Sequence, residues 1–420
     1  MVKKYRVYKK LLWILLAAIL IFSPIARGAS VRLWAMTPIL LVELIIIFLW
    51  LFKVVNVSPN PAKPKLTTYN LRLTTNSIDL PILLLTVLAA ISFVFSIYKH
   101  DSFYALLRLL GYIGVYYVII NEFDGQMVKR LIYLIISMGG CLSLYGLFQY
   151  FGTLPHSWWI PQDFLASTYV NHNHFAGYLE LAMPVAIAEL FNQMSRLKGD
   201  VRVAKDHRVF LVTALIFMAS AFILAQSRGA WLSMGVSLIV MMLVIRKRRT
   251  INIKSILIFI LVLMIIFSFV YLGRETISDR LKLAYAPYGA DLFDGTRLKI
   301  WKGSVDMIIH NPAIGTGIGT FIWGFPRFRP EGLVALANAA HNDYLQMAAE
   351  MGLLAPFLML WIFVVIIKTG FTKEARNSLR SVGCAAGVLS LALHGLIDFN
   401  FHIPANMLLF TVYAAIIMKK

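Results

Sequence analysis

Apolar runs of about 17–22 residues recur along the whole chain and are separated by basic or turn-forming segments. No other feature limits the fold as strongly. Read as spanning helices, the runs fall near residues 11–26, 36–54, 79–97, 103–120, 130–151, 174–193, 209–226, 229–245, 254–272, 342–367, 380–396 and 403–418. The expected fold is an all-α polytopic membrane protein with about twelve transmembrane helices. Composition agrees: 59% of the 420 residues are hydrophobic and 14% are charged, with a mean hydropathy of +0.74. Soluble domains carry roughly 25% charged residues.

A net charge of +20 in a soluble chain would point to nucleic acid. Here the basic residues sit between the runs. With both termini cytoplasmic, about 27 of the 40 Lys and Arg fall on the inner side, including the cluster Arg246 to Arg249. The first run, "LLWILLAAILIF", also has the look of a signal peptide, with "SPIARGAS" offering small residues. Removing it would leave an odd number of spans and an N-terminus outside, so it is read as a span. Cys141 and Cys384 lie in apolar runs and suggest neither a disulfide nor a metal site. No repeat or low-complexity linker is visible, so a single membrane domain over 1–420 is expected. Its one long interruption is an external loop at 273–340, between spans nine and ten, and loops of that length are uncommon unless functional.

Polar residues that break the local rules all collect on the outer side. "AQSRGAW" joins spans seven and eight and puts Arg228 at the outer surface, where the positive-inside rule disfavours it; a snorkelling arginine is the plain alternative. In the long loop, Asp294 reads as an N-cap for an amphipathic surface helix on which Ile300, Trp301, Val305 and Ile308 recur at helical spacing. Arg297 lies in its first turn, where an anion meets a guanidinium and the positive helix end together. "GTGIGT" follows a helix and no strand, which excludes a nucleotide-binding loop.

His341 opens span ten, sharing a helix face with Tyr344, Leu345 and Ala348; Glu350 points nearly the opposite way, which suits a buried polar contact to a neighbouring helix. His172 and His174 form H-x-H but lack a completing ligand, so no metal is expected. Glu180 has no basic residue three or four positions away on its own helix. Asp398 follows His394 by four and is expected to bond it on one helix face. Intramembrane charges of this kind are functional by default, with interhelical bonding as the plain reading. Arg228, Arg297, His174, His341 and Asp398 thus share one side of the membrane at similar depth. Guanidinium groups grip phosphate oxygens bidentately, and an imidazole, with an ordinary pKa of about 6.5, takes a proton from a sugar hydroxyl. A lipid diphosphate is the membrane anion such a set suits.

"QSRGAW", "TRLKIWKGSVDMIIHNPAIGTGIGTF", "HNDYLQMAAEMG" and "HGLIDFNFHIP", in this order around a long external loop, resemble the O-antigen ligase and O-antigen polymerase family of bacterial envelope glycosyltransferases. The resemblance is specific from Arg228 to Pro404; before that it lies mainly in the pattern of spans. It implies a membrane-embedded, metal-independent, inverting glycosyltransferase without a cofactor, acting in lipopolysaccharide or polysaccharide biosynthesis in the cell envelope. The implied reaction moves a glycan from undecaprenyl diphosphate to an acceptor at the outer, periplasmic face of the bacterial inner membrane. Position by position, Arg228 and Arg297 match the arginines that hold the diphosphate, His341 the catalytic histidine, and Asp398 the Asp of "H-x-x-x-D". His174 and Glu180 receive a supporting or acceptor-binding role from topology alone.

The acceptor is expected to be lipid A-core, as in a ligase. The alternatives are another lipid-linked glycan, as in an O-antigen or exopolysaccharide polymerase, or a protein serine or threonine, as in a protein O-oligosaccharyltransferase. A transporter or flippase is the competing class, but its site belongs near the midplane between paired repeats.

Overall fold

The computed structural model describes residues 2–30, 32–56, 76–154, 164–195, 201–247, 295–333, 336–372 and 379–419. The expected ninth span and the Asp294 cap lie outside these residues. In hydrocarbon each backbone N–H and C=O must find its partner within the protein, which favours helices for apolar runs. The longer described helices are α1 (Val2–Ile25), α2 (Thr37–Asn56), α3 (Asp79–Val94), α4 (Lys99–Glu122), α5 (Gly125–Tyr150), α6 (His172–Ser195), α7 (Val201–Leu224), α8 (Arg228–Lys247), α9 (Gly295–His310), α10 (Asp343–Met351), α11 (Leu354–Phe371), α12 (Leu379–His394) and α13 (Pro404–Met418). Among the described residues seven helices are long and apolar enough to cross a membrane, and α3, α12 and α13 are shorter apolar helices. The protein is an all-helical polytopic membrane protein.

The helices sort by burial. α6, α12 and α13 are buried nearly all round, whereas α2, α3, α8 and α11 expose large apolar side chains such as Phe48, Leu83, Leu232 and Phe357. The first group forms the centre of the bundle, and the exposed faces of the second are suited to lipid. α12 meets α6 through "GCAAG": a Cβ on Gly383 would lie 2.8 Å from the Pro184 carbonyl oxygen, and one on Gly387 3.1 Å from that of Leu181. Small residues four apart let two backbones approach, as in membrane helix pairs generally. This contact brings the C-terminal end of α12 beside the N-terminal half of α6.

The expected tenth span is two helices. α10 ends at Met351, and Gly352 takes a left-handed φ of 85° before α11 begins. The glycine run of the external loop closes over the break. Gly317 N–H donates to the Glu350 carbonyl, and the Glu350 carboxylate accepts from the amides of Gly319 (2.7 Å) and Phe321 (3.1 Å) and from Gln346. A Cβ on Gly315 would overlap the Glu350 backbone at 2.3 Å. Glu350 therefore makes its buried contacts with the loop, where the sequence suggested a neighbouring helix, and "GTGIGT" is a clamp on the end of α10. α9 does not simply lie on the surface either: Ile300, Met307 and Ile308 are buried in a second apolar cluster with Phe321, Phe325, Ala348 and Ala349.

Candidate functional site

The turn between α12 and α13 is the centre of the polar network. His394 is the last residue of α12, so Asp398 lies beyond the helix and the expected His394–Asp398 side-chain bond does not form. His394 Nδ1 instead donates to Glu180 Oε2 of α6 at 2.6 Å, and Ser390 and Ser233 hydroxyls bond Glu180 Oε1. The carboxylate that lacked a partner on its own helix finds an imidazole on the next one. Asn400 lies 3.1 Å from His394 Nδ1 and accepts from Asn406, which also donates to the backbone carbonyl of His174. Buried polar groups are satisfied in this way when the network is complete.

Asp398 is free of that pair and faces two other imidazoles. His174 Nε2 lies 3.8 Å and His341 Nδ1 3.6 Å from Asp398 Oδ1, which also accepts from the Phe399 amide at 2.8 Å. The Phe399 ring stands edge-on to both imidazoles, with centroids 4.5 and 4.9 Å away. Burial alone would raise the Asp398 carboxyl, but the neighbouring His174 and His341 hold it well below the usual carboxylate range. Both facing ring nitrogens are buried and have no hydrogen-bond partner. Separations of 3.6–3.8 Å exceed a hydrogen bond, and contacts of this kind in catalytic sites often tighten only when substrate binds.

His341 precedes α10, where the sequence suggested a place on the helix face. Its φ is 49°, a left-handed value uncommon for a residue with a side chain. Asn342 caps α10 with its side-chain oxygen on the amides of Tyr344 and Leu345, both at 3.0 Å. The loop before it is fixed at Ala340 by Trp301 of α9, whose indole donates to the Ala340 carbonyl at 3.0 Å. Asp343 ties α10 to the α12–α13 turn: its amide donates to the carbonyls of Gly395 and Asp398, and its carboxylate accepts from Phe401 N–H and from His402 Nδ1 at 2.6 Å.

Arg297, in the first turn of α9, is buried; one Nη donates to the Ile397 carbonyl at 3.2 Å, and Nε has no hydrogen-bond partner. Arg228 is the exposed first residue of α8. Next to it, Gly229 packs so closely on Ile397 that a Cβ there would meet the side chain at 2.4 Å. Arg297 therefore bonds the backbone of Ile397, one position from Asp398, and Arg228 directly precedes the glycine that packs on Ile397. The hairpin before α8 is held by His172, whose Nδ1 donates to the Ala225 carbonyl at 2.6 Å. The two rings of H-x-H thus take different partners.

The structure gathers His174, His341, Asp398 and Arg297 around one turn, with Arg228 beside it and Glu180 one bond behind. The sequence reading missed Asp343, His402, Asn400 and Asn406. Asp343, Asn400 and His402 stood inside the motifs already singled out, and Asn406 two positions beyond the last of them. Chemically, an ionised carboxylate beside a histidine orients the ring and stabilises the imidazolium formed when it takes a proton. Two arginines at the same turn suit a polyphosphate leaving group.

No curated protein matches the chain. A family model described as O-antigen ligase matches residues 213–362, a range that includes Arg228, Arg297 and His341 and stops short of Asp398. Residues 213–362 are thus similar to the O-antigen ligase family, in a chain whose long apolar helices are those of an integral membrane protein.

Proposed function

We propose that the protein transfers a glycan from undecaprenyl diphosphate to lipid A-core at the periplasmic face of the inner membrane, by an inverting, metal-independent displacement. The observation that carries this reading is the imidazole of His341, set by a left-handed backbone against Asp398, with Arg297 bonded to Ile397 and Arg228 next to the glycine packed on Ile397. Arg228 and Arg297 hold the diphosphate. The acceptor hydroxyl oxygen attacks the anomeric carbon, the bond from that carbon to the diphosphate oxygen breaks, and the hydroxyl proton passes to His341. Charge that develops on the leaving diphosphate is stabilised by the guanidinium groups. Asp398 stabilises the imidazolium, with His174 as a second imidazole on the same carboxylate and the Glu180–His394 pair supporting the turn.

The test is a transfer assay with purified protein and an undecaprenyl-diphosphate glycan, offered alone and then with lipid A-core. Product only with lipid A-core supports the ligase reading; elongation of the donor alone replaces it with a polymerase. Arg228→Ala and Arg297→Ala are expected to abolish product in either case, and full activity in both overturns the diphosphate clamp. Transfer is expected to persist in excess EDTA; loss that a divalent ion rescues overturns metal independence.

A further inference from the structure

The turn between α3 and α4 gathers four rings to which the proposed transfer gives no task. Trp323, from the short helix Phe321–Gly324, lies 4.6 Å from the Tyr98 ring, centroid to centroid. His100 follows Tyr98 at 6.0 Å, and Tyr104 follows His100 at 5.1 Å. Neighbouring rings are tilted by 42–56°, so they form a wall and do not pack face to face. The wall is open: Tyr98 is 38% and Trp323 52% exposed, and the His100 side chain 62%.

Its polar ends are tied inward. Asp101 is buried in the first turn of α4; its Oδ2 accepts from the Trp323 indole at 2.9 Å, and its Oδ1 lies 3.0 Å from His100 Nδ1. A tryptophan in a membrane-interface belt keeps its N–H in the wet region. Here the N–H is used inside the protein and the ring stays outside. With Nδ1 on Asp101, His100 keeps Nε2 for a further hydrogen bond. Rings held in place beforehand bind at low entropic cost, and their negative faces attract the C–H face of a pyranose, whose hydroxyls need hydrogen bonds at the rim.

The wall is also fixed relative to His341. Ile97 N–H donates to the Thr316 carbonyl at 2.9 Å and Thr316 N–H to the Ala349 carbonyl at 3.1 Å, while Phe321 N–H donates to the Glu350 carboxylate. The α3–α4 turn and the Trp323 helix are thereby joined to the C-terminal end of α10. The other end of α10, preceded by His341, bonds the α12–α13 turn through the Asp343 amide, and Arg297 bonds that same turn. With nine residues α10 is about 13 Å long. The proposed diphosphate clamp thus lies at one end of α10 and the ring wall at the other. In an inverting displacement the incoming oxygen enters opposite the leaving group, so the acceptor is the substrate that runs along α10, away from the clamp.

We propose that Trp323, Tyr98 and His100 form a sugar-binding platform for the acceptor glycan, holding a residue several sugars away from the attacking hydroxyl. That the sugar belongs to the acceptor rests on the transfer reading above; the platform itself rests on the rings. Saturation-transfer difference NMR on the full-length protein in detergent reads it with two soluble probes, core oligosaccharide freed from lipid A and donor glycan freed from its diphosphate, each by mild acid. With wild type the core oligosaccharide is expected to give the stronger signal, reduced about tenfold by Trp323→Ala and mostly kept by Trp323→Phe. Trp361→Ala, which removes a tryptophan 42% exposed on α11, leaves it unchanged.

In the transfer assay Trp323→Ala is expected to raise the KM for lipid A-core about tenfold, with kcat within about twofold and donor KM unchanged. No signal from either probe with wild type, or a signal that survives Trp323→Ala, overturns the platform. Equal losses in Trp323→Ala and Trp361→Ala overturn it in favour of a membrane-interface belt. A donor-glycan signal equal to or above that of the core oligosaccharide, or an unchanged acceptor KM, overturns the acceptor assignment. Absence of transfer by the wild type refutes the transfer reading and with it the acceptor assignment, while the NMR measurement still decides the platform.

Discussion

His341 combines two properties that rarely coincide: a left-handed φ of 49° and a buried ring nitrogen facing a carboxylate it does not yet reach. Strained backbone of this kind costs about 1–3 kcal/mol and persists where surrounding contacts fix it, here the Asn342 cap and the Trp301 bond. His341→Ala is expected to lower kcat by about 10²–10⁴, the range of general base catalysis, with donor binding retained; loss of donor affinity in a binding assay would make the histidine a structural residue. Asp398 has a pH signature. Because its folded-state value is depressed, its contribution to stability is present above the unfolded value of about 3.9 and is lost as pH falls through the lower folded value. The melting-temperature gap between wild type and Asp398→Asn is therefore expected to be full at pH 7 and to close on acidification below about pH 4. In the sequence, Arg228, Arg297, His341 and Asp398 were legible because each breaks a local rule on the outer side. The partners of Glu180, His394 and Asp343 were not, because spacing along one helix says nothing about the helix beside it.

At the scale of elements, apolar periodicity and run length reveal most helices, since burial and backbone satisfaction both act through composition. The division of span ten is invisible to that reasoning, because "HNDYLQMAAEMGLLAPF" stays apolar across Gly352 and only the φ of that residue ends the helix. Gly352→Ala places a Cβ 2.2 Å from the Ala313 carbonyl in a backbone region that only glycine tolerates. A loss of at least about 1–3 kcal/mol follows, visible as a lower melting temperature in detergent. The α6–α12 contact offers a comparison at matched chemistry. Gly383→Leu is expected to disrupt the fold, since its Cβ position is already occupied, whereas Gly235→Leu on α8 meets nothing within 4 Å and should leave the melting temperature nearly unchanged. Equal effects in the two variants would remove the case for close α6–α12 packing.

For the whole molecule, orientation is the testable quantity. Basic residues between the runs predict the α4–α5 turn inside and the long loop outside. In a Cys141→Ala background, a cysteine at Glu331 is expected to react with a membrane-impermeant reagent on intact cells, and one at Gly125 only after the membrane is opened; the reverse pattern would invert the topology. The break at Gly352 has a further consequence at this scale. α10 is tied to the α12–α13 turn through Asp343, to the glycine clamp through Glu350 and to α3 through Ser92, while α11 continues beyond the glycine. A helix that must match a thicker or thinner bilayer does so by tilting. Here α11 can tilt about Gly352 without carrying His341 with it, so the distance between histidine and carboxylate is uncoupled from bilayer thickness. Turnover in proteoliposomes should accordingly stay nearly constant as the acyl chains are lengthened, until mismatch unfolds the bundle itself.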